Sequence, residues 1–102
     1  MKNINFNDRC YKLLSQIPKG KISTYKEIAI ALNTRAYRSV GSAMAKNPNP
    51  IFIPCHRIIR SDGTIGGYAL GTKKKIHLLK KEGIKIKKEK VLNFKNYFYQ
   101  LK

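Results

Sequence analysis

Acidic side chains are scarce in this sequence: five aspartates and glutamates stand against 22 lysines and arginines. The formal charge of +17 attracts polyanions over the distance that salt screening leaves. Nucleic acid is the first partner such a balance points to. The bland alternative is a solvated basic surface, or the Lys, Ile and Asn bias of an AT-rich genome. Cysteine occurs twice, at Cys10 and Cys55, without the spacing of a disulfide framework or a C-x-x-C redox site. Reduced thiols are therefore expected. Long apolar runs are missing too: nothing approaches the roughly 18 residues of a membrane span. The opening MKNINFNDRC turns polar too early for a secretory leader. A cytoplasmic protein with no membrane association is expected. Its 102 residues suit one domain with one core, ending in a basic tail from about residue 84.

Periodicity places the elements. Cys10, Leu13, Leu14 and Ile17 recur at helical spacing between Asn7 and Ile17, and Pro18 with Gly20 ends that helix. After a short extended piece at Lys21 to Ser23, Thr24 and Glu27 have the spacing of a capping box. They open a second helix with Ile28, Ala29 and Leu32 inward. Asn33 and Thr34 interrupt it and offer a cap for a third helix from Ala36 to Lys46. Helix, brief turn and helix make a helix-turn-helix pattern. The third helix is rich in small residues: Ser39, Gly41, Ser42, Ala43 and Ala45. A close-packed core would explain them, and so would a docking face on which Arg35 and Arg38 reach a phosphate backbone.

Asn47-Pro48-Asn49-Pro50 cannot continue a helix and reads as a stiff loop. Ile51 to Ile53 and Ile58 to Arg60 look extended, and Ser61-Asp62-Gly63-Thr64 is a turn signal for a small hairpin or wing. Gly66 to Gly71 is a glycine-flanked loop. A last helix spans Thr72 to Glu82, with Ile76, Leu78 and Leu79 inward and Gly83 at its C-terminal end. Beyond it, lysines interleave with Phe94, Tyr97, Phe98 and Tyr99; part of this segment is expected to pack back on the core. Lys85, Lys87, Lys88 and Lys90 offer either phosphate affinity or a solvated surface. The fold expected is mainly α, a winged helix-turn-helix-like domain with a small β-hairpin.

Cys10 lies on an apolar stripe and reads as a small core hydrophobe. Cys55 differs, because it is followed by His56 and Arg57, neighbours expected to lower a thiol pKa toward neutrality. A zinc site would need about four suitably spaced ligands, and Cys10, Cys55, His56 and His77 contain no C-x-x-C or H-x-x-x-H pair. No metal and no cofactor are expected. Nothing specifies the distant base and acyl cleft of a hydrolytic cysteine enzyme. A nucleophile on a polyanion-binding domain remains.

The run NPNPIFIPCHRII, preceded by ISTYKEIA and RSVGSAM and followed by DGTIGGYALG and KKKIHLLKKEG, resembles the C-terminal domain of the O6-alkylguanine-DNA alkyltransferases. The similarity extends from about Phe6 to Gly83. It implies minor-groove binding of double-stranded DNA by the helix-turn-helix and rotation of the damaged guanine into a pocket. It further implies irreversible, stoichiometric alkyl transfer to a cysteine, by a protein expected to act as a monomer. In that likeness Cys55 matches the acceptor, and His56 matches the base that takes the thiol proton through a water. Glu82 matches the carboxylate that orients the ring, and Asn47 matches the brace under the turn. Tyr25 matches the tyrosine that crowds the target phosphate and hydrogen-bonds the flipped purine, and Arg38 matches the finger that fills the vacated stack. Tyr68 and Ala69 match the loop over the base, while the carbonyls of Cys55 and Ile58 would face its exocyclic amine. Arg57, Met44, Ser39 and Gly41 complete the expected DNA- and base-contacting set, and Ile51, Ile53, Pro54 and Met44 are expected to wall the pocket. Two residues depart from the pattern: Tyr37, where a small residue is common, and Asn49, in place of an apolar one. Short relatives in which tryptophan replaces the cysteine bind lesions without repairing them.

Overall fold

The computed structural model describes residues 5–101. Residues 1–4, part of the stretch read as lacking a secretory leader, lie outside the described residues, as does Lys102. The architecture is mainly helical with two small two-stranded sheets, in agreement with the fold expected. Helix α1 covers Phe6–Leu14 and opens on Asn5, whose side chain accepts from the Asp8 amide at 2.8 Å. It is shorter than its apolar stripe, but two tight turns carry the chain on and leave Ile17 buried at the end of that stripe. Strand β1, Ser23–Thr24, leads directly into helix α2, Tyr25–Ala31. Only half of the expected capping box forms: the Thr24 hydroxyl accepts from the Glu27 amide at 3.0 Å. The backbone of Thr24 is at the same time part of a strand pair.

Helix α3 covers Tyr37–Ala45 and completes the helix-turn-helix. In the turn, Asn33 adopts φ 55° and the Thr34 hydroxyl accepts from the Ala36 amide at 3.1 Å. The small residues of α3 split between two environments. Ala43 is fully buried, whereas Ser39, Ser42 and Ala45 are exposed. Core packing therefore accounts for only one of them.

The segment after α3 departs from expectation. Ile51 to Ile53 is no strand: Pro50 bridges Ile53, the Ile53 amide donates to the Asn49 carbonyl at 2.9 Å, and Ile51 sits at φ 85°. That left-handed geometry is costly for a β-branched residue. It turns Ile51 and Phe52 outward, Phe52 to 91% exposure. A single 3-10 turn, Cys55–Arg57, then feeds strand β2, Ile58–Ile59. This strand does not form a hairpin with its neighbours but pairs in parallel with β1, Ser23 opposite Ile58 and Thr24 opposite Ile59. The Asp62 turn forms as expected, with the Thr64 amide on the Asp62 carboxylate at 2.9 Å.

Helix α4 spans Thr72–Lys81, and Gly83 follows it at φ 95°. Its buried face consists of Lys75 and Leu79, one turn apart; Ile76 and Leu78, expected inside with Leu79, are only half-buried. The hairpin lies further on, between β3, Ile86–Lys87, and β4, Lys90–Val91. Its two turn residues, Lys88 and Glu89, both take positive φ, the mirrored turn that matches strand twist. The hairpin is joined to the Asp62 turn by a Thr64–Lys90 bridge. Helix α5, Phe94–Tyr97, brings the chain back onto β1: the Ile22 amide donates to Tyr97 and the Tyr99 amide donates to Ile22. The segment after Gly83 thus packs on the core, with Ile84, Val91 and Leu101 buried.

Two apolar clusters result. One joins α1, α2 and α3 with Cys55, Ile58 and Leu101; the other joins Ile22, Ile59, Ile65, Leu79, Ile84 and Val91. Adjacent residues of β2 point to opposite faces, so Ile58 serves the first cluster and Ile59 the second. The turn bearing Cys55 is consequently clamped between both. Among the described residues no helix is long and apolar enough to cross a membrane.

Candidate active site

Cys55 lines a cavity of about 480 Å³ together with Tyr25, Tyr37, Gly41, Met44, Ala45, Arg60, Gly67, Tyr68 and Ala69. That volume is within the range of pockets that enclose a small ligand. Its walls come from α2, α3, the cysteine turn and the loop before α4. Of the residues expected to wall it, Met44 does so; Ile51, Ile53 and Pro54 are not among its lining, because the reversal at Ile51 turns that side chain outward while Ile53 packs on the core and Pro54 is buried.

The turn is braced by Asn47, which is buried at the end of α3. Its amide donates to the Ile53 carbonyl at 2.7 Å, and its oxygen accepts from the Asn49 amide at 2.9 Å. The Cys55 amide in turn donates to Ile53 at 2.7 Å. The Cys55 carbonyl, expected to face a base amine, already accepts from the Ile58 amide; its second lone pair remains.

Behind Cys55 stands a carboxylate held from two sides. His56 Nε2 and Glu82 Oε2 are 3.1 Å apart, and Arg57 donates through Nε and Nη2 to the same carboxylate at 2.9 and 2.7 Å. Arg57 Nη1 donates to the Ile17 carbonyl at 2.8 Å. Glu82 caps the C-terminal end of α4, where the helix dipole disfavours negative charge. Burial also raises its carboxyl, but the bonds from Arg57 and His56 prevail and hold it below the ordinary value. His56 is lowered, mainly by burial against the opposing pull of Glu82, so the ring is neutral at neutral pH. Its other nitrogen, Nδ1, is buried and meets no partner among the described residues.

Expected to be depressed by its cationic neighbours, the Cys55 thiol is instead raised by burial. The physical reason is that Arg57 is turned onto Glu82 and Ile17, and His56 carries no charge. The influences that do lower the thiol are the Asn47 amide, Lys75 and the turn's own backbone. Cys10 is raised to about 11 by burial, as a core thiol should be.

Tyr68 stands edge-on to His56, with ring centroids 6.3 Å apart at 73°. Burial pushes its hydroxyl to about 12, and that hydroxyl has no partner among the described residues. Gly66, at φ 74°, lets the preceding chain pass close to Tyr25: a Cβ there would lie 3.4 Å from the tyrosine oxygen. Gly41 has open space where a Cβ would point, so nothing in the protein itself demands a glycine.

The expected residues thus divide into three places. Cys55, Tyr25, Tyr68, Ala69, Met44 and Gly41 meet at the cavity. His56, Glu82, Arg57, Asn47 and Ile58 surround the cysteine turn from behind. Arg38 and Ser39 lie exposed on α3, Arg38 without a hydrogen bond or ion pair among the described residues. Sequence reasoning missed Arg60 and Gly67 in the lining and, above all, Lys75, which is fully buried beside the site. Its only signal was its position one turn before Leu79, concealed in a run of three lysines.

Residues 5–84 match the family described as 6-O-methylguanine DNA methyltransferase, DNA binding domain. A methylated-DNA--protein-cysteine methyltransferase of Methanosarcina barkeri is 51% identical over 79 residues, 76% of this chain and 50% of that protein. The crystal structure of Mycobacterium tuberculosis OGT in complex with DNA superposes with a TM-score of 0.74 at 39% identity, over 79% of this chain and 51% of the other. The structure of S. pombe Atl1 in complex with damaged DNA containing O6-carboxymethylguanine gives 0.82 at 34% identity, over 98% of this chain and 99% of the other. The chain spans about half the length of the curated methyltransferases it matches.

Proposed function

The chain belongs to the 6-O-methylguanine DNA methyltransferase DNA-binding-domain family, and on that premise we propose that it removes alkyl groups from O6-alkylguanine in DNA by irreversible transfer to Cys55. Its residues act as one DNA-binding and alkyl-accepting domain, equivalent to the C-terminal domain of the longer relatives. It works in the cytoplasm as a monomer on double-stranded DNA, with α3 in the minor groove. The observation that carries this reading is a cysteine at the wall of a cavity open on one side, backed by a neutral His56 that is tied to Glu82.

The basic surface supplies affinity for the phosphates. Extruding a nucleotide costs a few kcal/mol, offset by stacking and hydrogen bonds in the cavity. Arg38, exposed and uncommitted on α3, fills the space the base leaves. Tyr25 and Tyr68 enclose the purine, and the unpartnered Tyr68 hydroxyl, protonated at any physiological pH, offers it a hydrogen bond. The Cys55 proton passes through a water to His56 Nδ1, the nitrogen with no partner among the described residues; Glu82 on Nε2 fixes the ring and stabilises the imidazolium that forms. The sulfur then forms a bond to the alkyl carbon as the carbon–O6 bond breaks, and the electron pair leaves with the guanine, which takes up a proton. A raised thiol pKa in the free protein means that little thiolate exists until His56 takes the proton. The thioether product has no carbonyl for water to attack, so each molecule reacts once.

A second reading is favoured by the near-complete superposition on the Atl1 structure with damaged DNA. In that reading the domain recognises lesions and leaves them unrepaired. Intact-mass analysis after incubation with an O6-methylguanine duplex separates the two. Transfer predicts the gain of one methyl per protein, mapped to Cys55 and lost in Cys55→Ala. Retained binding with unchanged mass would replace repair by recognition, and many equivalents converted per protein would refute the single-use mechanism.

A further inference from the structure

Beyond the Arg60 wall of the cavity the chain builds a small ladder that the chemistry above leaves unused. Arg60 donates its amide to the Thr64 carbonyl at 3.0 Å, so the two stand opposite each other across the Asp62 turn. Thr64 bridges Lys90 in antiparallel fashion, with the Val91 amide on the Gly63 carbonyl and the Ile65 amide on the Glu89 carbonyl, both at 2.9 Å. Lys90 is in turn the partner of Lys87 in the β3–β4 hairpin. The segments holding Arg60, Thr64, Lys90 and Lys87 thus lie side by side in one register.

Residues directly opposite in such a ladder share a face. The register therefore puts Arg60, Thr64, Lys90 and Lys87 in a row on one side, while the adjacent Ile59, Ile65, Val91 and Ile86 pack into the second apolar cluster on the other. At the usual strand spacing Lys90 stands about 10 Å and Lys87 about 15 Å along the row from Arg60. A line of cations leads away from the cavity mouth. All three are exposed, and none has a side-chain hydrogen bond or ion pair among the described residues. Asp62, whose carboxylate feels Lys90 and Arg60, is tied to the Thr64 amide and hydroxyl instead of to either cation. Like charges directly opposite each other weaken a hairpin, and Lys87 faces Lys90 in this way. An anion laid along the row relieves that repulsion.

We propose that this row is a phosphate-gripping wing: Lys90 and Lys87 hold the backbone of double-stranded DNA beside the Arg60 wall, while α3 enters the groove. This rests on the reading that an extruded nucleotide occupies the cavity, since DNA then lies across its mouth and its flanking phosphates fall within reach of the row. Both lysines lie beyond residues 5–84, the stretch that matches the family, so the grip is a contribution of the segment after α4.

The test is the salt dependence of binding to an undamaged duplex, followed by fluorescence anisotropy in wild type and in Lys87→Gln/Lys90→Gln. Each lysine–phosphate contact contributes about 0.9 to the slope of log Kd against log salt, so loss of both should lower the slope by about 1.8. Lys80→Gln/Lys81→Gln removes the same charge from exposed positions next to Glu82, behind the cysteine turn, and should leave the slope near its wild-type value. A slope unchanged in Lys87→Gln/Lys90→Gln, or lowered equally by both pairs, overturns the wing. If the double variant does not fold, Lys87→Gln and Lys90→Gln are read singly, each with half the effect. Free O6-benzylguanine has no phosphate, so its reaction should be the same in wild type and Lys87→Gln/Lys90→Gln; a loss there would overturn a role confined to the backbone. A wild type that binds the duplex but never takes a methyl from O6-methylguanine refutes the repair reading, while the slopes still decide the wing.

Discussion

Replacing Lys75 with methionine should alter how the stability of the fold responds to alkali more than its stability at neutral pH. Burial lowers the Lys75 amine from 10.5 to about 7. Between those values the unfolded chain holds a proton that the folded protein gives up, so the unfolded state binds more protons and stability rises with pH. Integrating between the two pKa values gives a gain of about 1.5 kcal/mol from about pH 7 to about pH 8.5. For a domain of this size that corresponds to roughly 6–12 °C in melting temperature. The raised thiols and phenols oppose the trend only at more alkaline pH, and the variant shares them. Lys75→Met should therefore be flat over the same window. Near neutral pH it sheds a desolvation penalty of about 4 kcal/mol. It also leaves the carbonyls of Ile65 and Gly67 without a donor, at roughly 1–3 kcal/mol each. The two effects nearly cancel. Thermal melts by circular dichroism at three pH values suffice, and parallel wild-type and variant curves would refute the buried, perturbed amine.

Two other substitutions test separate links. Arg38→Ala should weaken repair in duplex DNA by at least about tenfold while leaving reaction with free O6-benzylguanine unchanged, because an isolated base needs no extrusion; equal losses in intact-mass time courses would remove the finger role. Asn47→Ala removes one of the two donors to the Ile53 carbonyl and leaves the exposed Asn49 amide to water, which should cost about 1–3 kcal/mol in denaturant unfolding and slow thiol alkylation; a loss under about 0.5 kcal/mol would show that the turn needs no brace.

The helices were legible because each signal is local. The stripe from Cys10 to Ile17, the Thr24 cap and Gly83 after α4 all act within a few residues, and all appear where periodicity and capping place them. What could not be read depends on distant partners. Ile58 and Ile59 look like half of a hairpin, but the strand they pair with lies across the domain at Ser23 and Thr24. The real hairpin turns on Lys88 and Glu89, residues with no turn signature, in φ values imposed by the flanking pairs. The same division holds at the site. The order Cys55-His56-Arg57 suggested two cations beside a thiol, yet tertiary contacts send Arg57 to Glu82 and bring Lys75 from another helix. Family likeness located the residues at the cavity. It did not disclose how their charges are distributed.

The knot at Glu82 has an implication for wear. Its carboxylate joins the end of α4 to the cysteine turn, and Arg57 extends the tie to the Ile17 carbonyl behind α1. Three remote stretches of chain are thereby fastened at one point, which leaves little slack for a hinge. If the protein is consumed by its first event, as proposed, its nucleophile is never regenerated for another cycle, and permanent fastening is no handicap to it.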